Sequence, residues 1–243
     1  MAADFPYLYP FSKQEAKRRN ELRDWRESHK YNVACKEAIE AAIRKGFDGA
    51  RLRPGCAKSV IEEFGFKRVG FVLSNSLREK PNDCRFSQKN LEWSRRIDVP
   101  PDEAHNYAFA VDSPPAVLNG FVNQFHSAYE ELGLFGPEHC MGNRHEQDYE
   151  GKVLVLSPNS LREGCWKPQD QLWYAHDGFG CSPHAIGRSI RATCLSDGEM
   201  ARWNRSDFTG VLDEQYLPGW ARIKLAELTG QEQAGPAMDG MKM

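Results

Sequence analysis

The sequence predicts an α+β protein: a helical N-terminal domain followed by a small antiparallel β unit with a C-terminal helix. Three observations carry that expectation. Across the first half, apolar side chains recur three and four residues apart, which places them on one helix face. The stretch QLWYAHDGFGCSPHAIGRSIRATCLSDGEMARWNRSDFTGVL, residues 171–212, alternates aromatic and β-branched residues as no helix does. Its glycines, Gly178/Gly180, Gly187 and Gly198, separate runs of strand length, each marking a turn or a close approach of another backbone.

The elements follow in order. FSKQEAKRRNELRDWRESHKYNVACKEAIEAAIRKGFDG reads as one long helix or two joined end to end, with Leu22, Trp25, Ile39 and Ile43 at helical spacing and Gly46 as its stop. Ser12 and Glu15 have capping-box spacing. Pro54 opens a second helix through Phe64, Gly65 breaks it, and FKRVGFVLSNSLREK forms a third. After the turn at Pro81-Asn82-Asp83, Ser87 caps a short helix carrying Leu91 and Trp93. Pro114-Pro115 starts an amphipathic helix through Phe125 and Tyr129. KVLVLS, QLWYA, SIRATCLS and EMARWN are strands, Ser196-Asp197-Gly198 is a hairpin turn, and LPGWARIKLAEL is a final helix. The expected division is a helical domain over 1–136, an exposed linker over 137–150, a β-rich domain over 151–228 and a disordered tail over 229–243.

Composition bounds the function classes. The chain has 243 residues, 40% apolar and 27% charged, as an ordinary globular protein does. No apolar run approaches the ~20 residues that span a bilayer, so no membrane partner is expected. The N-terminal stretch lacks the apolar core of a secretion signal, and the seven cysteines are odd in number and scattered. Together these predict reduced thiols in the cytoplasm. The net charge of −2 hides an asymmetry: residues 1–97 carry +8, residues 98–150 carry −9 and residues 151–243 carry −1. A basic segment can form a nucleic-acid face, and an acidic one can occupy a basic channel; the simpler and preferred reading of the charges is that the two segments pack and neutralise each other.

Four constellations carry candidate chemistry. On the first helix, Arg26, His29, Asn32 and Lys36 can meet Arg68, Asn75 or Arg85 from later helices and bind a phosphate or carboxylate, against the simpler alternative of a solvated face with (i, i+4) ion pairs. In the β unit, Arg188, Arg191, Arg202 and Arg205 interleave with Trp173, Tyr174, Phe179 and Trp203, the ingredients of a surface that stacks bases and meets phosphates. The same aromatics can instead fill a small core, and that is the preferred reading. Cys181-x2-His184 ahead of Cys194 is half of a zinc site without a matching half, so no cofactor is expected and zinc is the one to test. A cysteine nucleophile would need a thiolate-stabilising setting, which adjacency such as His139-Cys140 does not supply. No G-x-S-x-G, Walker A, H-E-x-x-H or dinucleotide signature is present, and Gly178-Phe179-Gly180 is too short to cradle a phosphate alone.

The segments WRESHKYNVACKEAIEAAI, VIEEFGFKRVGFVLSNSL, RFSQKNLEWSRR, HNYAFAVDSPPAVLNGF, FGPEHC and LWYAHDGFGCSPHAIGRSIRATCLSDGEMARWNRSDFTGVL resemble an uncharacterised domain-of-unknown-function family carried on conjugative and other mobile elements of gut anaerobes. The resemblance covers most of residues 7–228. It implies an accessory role: handling the element's own DNA, or blunting host restriction or CRISPR-type defence. The expected function is therefore a non-enzymatic accessory protein that binds nucleic acid or a host nuclease or defence complex. The alternative is a metal- or thiol-dependent enzyme acting on a nucleotide or protein through Cys181, His184 and Cys194.

Overall fold

A computed structural model describes residues 6–101 and 103–230. The chain is α+β and divides into two compact units, residues 1–132 and 133–243. The expected tail lies outside the described residues from position 231 onward; Thr229 and Gly230 close the last helix.

The helical unit contains α1 (Lys13–Arg18), α2 (Leu22–Gly46), α3 (Cys56–Arg78), α4 (Gln88–Arg96) and α5 (Pro115–Glu130). The first expected helix is two, because Asn20 turns into the left-handed region (φ 60°). Ser12 caps α1 by accepting from the Glu15 amide at 3.1 Å. The Glu15 carboxylate, expected to reach back to the cap, instead pairs with Arg18 and Arg19. Gly65 (φ 79°, ψ 159°) kinks α3 into the two helical pieces that its position predicted. Side chains with a Cβ are essentially excluded from that conformation. Beyond the kink, α3 is buried at every residue from Arg68 to Leu77 and packs against α2, α4 and α5. Ile39, Val69, Val72, Leu73, Phe109 and Phe121 form the centre of its core.

Among its described residues, the segment between α4 and α5 has one short 3-10 turn, Tyr107–Phe109. Side chains supply the backbone bonds that regular structure would otherwise provide. The Asn75 amide both donates to Asn106 O (2.9 Å) and accepts from Asn106 N (3.2 Å). Ser76 Oγ accepts from Val111 N, and Glu40 Oε1 from Asp112 N. Trp25 Nε1 donates to buried Glu103 at 2.7 Å.

The second unit is a five-stranded antiparallel sheet: β1 (Val153–Leu156), β2 (Leu172–Asp177), β3 (Ser189–Cys194), β4 (Met200–Asn204) and β5 (Phe208–Val211), in the order β4-β3-β2-β1-β5. One face buries Leu154, Leu156, Trp173, Ala175, Ile190 and Ala192 with Phe208 and Tyr149. The other packs Val153, Val155 and Leu172 with Ala221 and Leu225 of α6 (Gly219–Thr229). One expectation needs correction. Residues 137–150 are mostly exposed, as expected, but they are part of the second unit rather than a linker ahead of it: Cys140 bridges to Leu212, Met141 N donates to Val211 O (2.8 Å), and Tyr149 is fully buried. They line the outer edge of β5, a strand whose four residues, FTGV, are too short to announce themselves. The glycine expectation holds: a Cβ on Gly178 would stand 2.4 Å from Ser189 O, and one on Gly180 2.2 Å from Arg188 O.

Candidate functional site

The helical candidates separate into buried and exposed groups. Arg68 is 1% exposed and does meet Asn32, whose Oδ1 accepts from it. It does not face a ligand, because its guanidinium donates to Ser28 O (2.9 Å), Pro6 O (2.8 Å) and Tyr7 O (2.9 Å). Arg68 thereby ties the extended N-terminal arm to α2 and α3. His29 stacks on Trp25 (4.9 Å between centroids) and meets Phe109 edge-on. Lys36 pairs with Glu40 at 3.1 Å. Arg26 is exposed on α2. Arg85 is exposed but chelates Asp83 through two side-chain bonds of 2.8 and 2.6 Å, which hold the Asp83 carboxyl down at about 2. The anion pocket expected from these residues is therefore split among internal partners.

The Arg-aromatic surface of the β unit is likewise divided. Trp203 lies on the core side of β4, edge-on to Trp173 at 5.2 Å. Arg205 is 4% exposed, lies over the Tyr149 ring at 3.6 Å, and donates to Gly180 O, Cys181 O, Arg144 O and Gln147 O. Both were candidates for ligand contact, and alternation along β4 and carbonyl binding put them inside. Arg191 is exposed and engages Asp177 with both its Nε and Nη2. Arg188 lies 5.7 Å over the exposed Phe179 ring, and Arg202 stands directly across from Arg191 on the solvent side of the sheet. Of the expected set, Arg188, Arg191 and Arg202 remain outward.

The Cys181, His184 and Cys194 region does not converge. Cys181 and Cys194 are buried in the sheet core, whereas His184 is exposed on the β2–β3 loop with φ 58°. Among the described residues, no three His, Cys, Asp or Glu side chains gather as metal ligands do. Burial pushes the Cys181 thiol up to about 11 and Cys35 up to about 12, and also raises Cys194. Neutral, buried thiols lack the thiolate character of a nucleophile. The acidic run 98–150 is divided by the boundary between the two units, and its Glu103 is buried.

A basic surface emerges where α2 meets α3. Arg44 and Lys45 occupy the last turn of α2, Arg51 and Arg53 the connection, and Lys58 the first turn of α3; all five are exposed. The connection is held firmly. Phe47 and Leu52 form a bridge, Arg53 N donates to Gly46 O (2.9 Å), and Gln124 of α5 donates to Arg53 O (2.8 Å). Asp48, the sole carboxylate between positions 41 and 61, accepts from the amides of Ala50 and Arg51. Those amides, and after them the Arg53 charge, hold its carboxyl below the ordinary range. Arg44 approaches Glu40 only at 4.0 Å. Five cations thus face solvent, and the connection between the two helices sets only Asp48 among them. The signal is present in the sequence as Arg44-Lys45, Arg51-x-Arg53 and Lys58, but it is spread over a helix end, a loop and a helix start, which no single periodicity marks.

Among the described residues, no helix is long and apolar enough to cross a membrane. What fold and site define is an α+β chain whose helical unit carries a fixed cationic corner. The chain belongs to the family described as protein of unknown function (DUF3849), whose model matches residues 8–130. The match coincides with the helical unit and includes the whole basic corner. No curated protein and no solved structure matches the chain.

Proposed function

We propose that this chain is a non-enzymatic accessory protein of a mobile genetic element that binds nucleic acid in the cytoplasm, through the basic corner of its helical unit. The observation that supports the reading is the preordered, exposed cluster Arg44, Lys45, Arg51, Arg53 and Lys58, whose connecting loop carries one carboxylate, Asp48, bound by the amides of Ala50 and Arg51. Phosphate contacts need cations and fixed backbone, not a catalytic constellation, and they position a protein on nucleic acid independently of sequence. Exposed Arg188 over Phe179 adds a stacking element of the kind that single strands use. The mobile-element setting rests on the family resemblance of the sequence. Within it, binding would shield or present the element's nucleic acid, or act on a host defence complex that handles it. A thiol or metal enzyme finds less support, since the thiols at issue are buried and raised.

Fluorescence anisotropy of the full chain with labelled duplex and single-stranded oligonucleotides, over a salt series, tests the reading. Engagement of all five cations on duplex DNA gives a slope of log K against log salt of roughly −4.5. The double variant Arg51→Glu/Arg53→Glu should flatten that slope by about 2. Salt-independent binding, or a double variant that binds as the parent does, would overturn the proposal.

A further inference from the structure

The two edges of the β sheet are finished differently. The β5 edge is covered: Met141 N donates to Val211 O at 2.8 Å, Cys140 bridges to Leu212, and Arg144 donates to Phe208 O at 3.4 Å. The β4 edge is open. Its ladder with β3 is bracketed by Cys194 N to Glu199 O (2.8 Å) and Arg205 N to Arg188 O (3.2 Å). Bonded and non-bonded pairs alternate along an antiparallel ladder. With Ala192 opposite Ala201 and Ile190 opposite Trp203, those two pairs carry the remaining bonds. The backbone N–H and C=O of Met200 and Arg202 therefore point away from the sheet. They meet no partner among the described residues, whereas the next outward amide, Asn204 N, is capped by Asp207 at 2.7 Å.

The side chains on the exposed face give this edge a charge pattern. Asp177 on β2 stands across from Arg191 on β3, and Arg191 across from Arg202 on β4. Asp177 is occupied by Arg191, so Arg202 is a cation beside a cation, an arrangement that is unfavourable between directly opposed residues. A carboxylate on a further strand would complete the row as anion, cation, cation, anion. Two residues along, Thr193 faces Met200, which is 67% exposed and would meet an apolar side chain.

We propose that the β4 edge receives an extended segment of a partner protein, added antiparallel as a sixth strand, with an acidic residue opposite Arg202 and an apolar residue two positions later opposite Met200. Strand addition draws its affinity from main-chain bonds and its selectivity from alternate side chains. A second copy of this chain fits less well. Two-fold pairing of β4 with itself sets Met200, Arg202 or Asn204 across from Arg202, and none of these is a carboxylate. The site lies on the other unit from the basic corner and stands or falls independently of nucleic-acid binding.

The test is a backbone-amide NMR titration of the full chain with a capped synthetic peptide of alternating Thr and Val, carrying one central Asp followed two residues on by Leu. The Met200 and Arg202 amides should shift and gain protection from hydrogen exchange. Exchanging the peptide's Asp for Lys should weaken binding roughly tenfold, and Arg202→Glu should reverse that preference. Met200→Pro removes an outward N–H, a change that edge strands tolerate, and should abolish binding with the β3–β4 ladder intact. Equal binding of the Lys peptide, unchanged binding to Met200→Pro, or silent β4 amides would overturn the proposal. So would concentration-dependent self-association that protects those amides without peptide.

Discussion

Arg68 in the helical unit and Arg205 in the β unit are buried to nearly the same extent, and both aim their guanidinium groups at backbone carbonyls. Their surroundings differ. Arg68 joins two helices to an arm, and the Pro6 and Tyr7 carbonyls that it holds could return to water if released. Arg205 gathers the 144–147 and 180–181 loops over the Tyr149 ring, inside a core that those loops complete. The helical unit already has the second half of α3, buried from Arg68 to Leu77, to organise it, so its arginine fastens a periphery. The β unit has short strands and long connections, so its arginine holds the centre.

The largest expected effect follows from that contrast. Arg205→Met should destabilise the β unit by about 4 kcal/mol, because four carbonyls, those of Gly180 and Cys181 in buried bonds, lose a charged donor at the centre of the unit. Arg68→Met should lower stability by about 2 kcal/mol and leave the arm open to proteolysis. Urea unfolding of both variants, with hydrogen exchange assigned to each unit, checks the order. Equal losses, or a loss spread over both units by either variant, would break the comparison. Next in size, Gly65→Ala should destabilise the helical unit by about 1–3 kcal/mol, with the β-unit amides unaffected. Smallest is a pH effect on the helical unit alone. Burial, and then the nearby Lys89 charge, lower the pKa of His126 below its ordinary value. Its neutral form is favoured in the folded state, so the stability it contributes is complete above the unfolded pKa near ~6.5. That contribution is lost as pH falls from there toward the lower folded value. Unfolding midpoints of the parent should therefore decline on acidification below pH ~6.5, and His126→Gln should flatten that part of the profile.

The legibility of the sequence also divides between the units. Helix caps and breaks were readable because they depend on single residues with local consequences: Ser12, Gly65, Ser87 and Pro115 each do what their chemistry dictates. Four of the strands were readable from alternation, and Gly178 and Gly180 from the close approach they permit. What escaped depends on partners distant in the chain. Residues 137–150 are polar and mostly exposed, so their docking on β5 and Arg205 leaves no local mark, and nothing near Tyr149 in sequence marks it as core. The candidate arginines illustrate the same limit. Arg68 and Arg205 have the same residue type as the outward Arg51 and Arg202, and only tertiary placement decides which carries carbonyls and which faces solvent.

The carbonyl cage around Arg205 also works as a cross-link. It ties Arg205 to positions 61, 58, 25 and 24 residues earlier in the chain, the loop-closing task that small domains commonly assign to a disulfide or a zinc ion. All seven cysteines are free. A staple made from a guanidinium and peptide oxygens forms without oxidant and survives reductant and chelator alike. The β unit should therefore keep its fold in strong thiol or EDTA, conditions that dismantle many domains of its size.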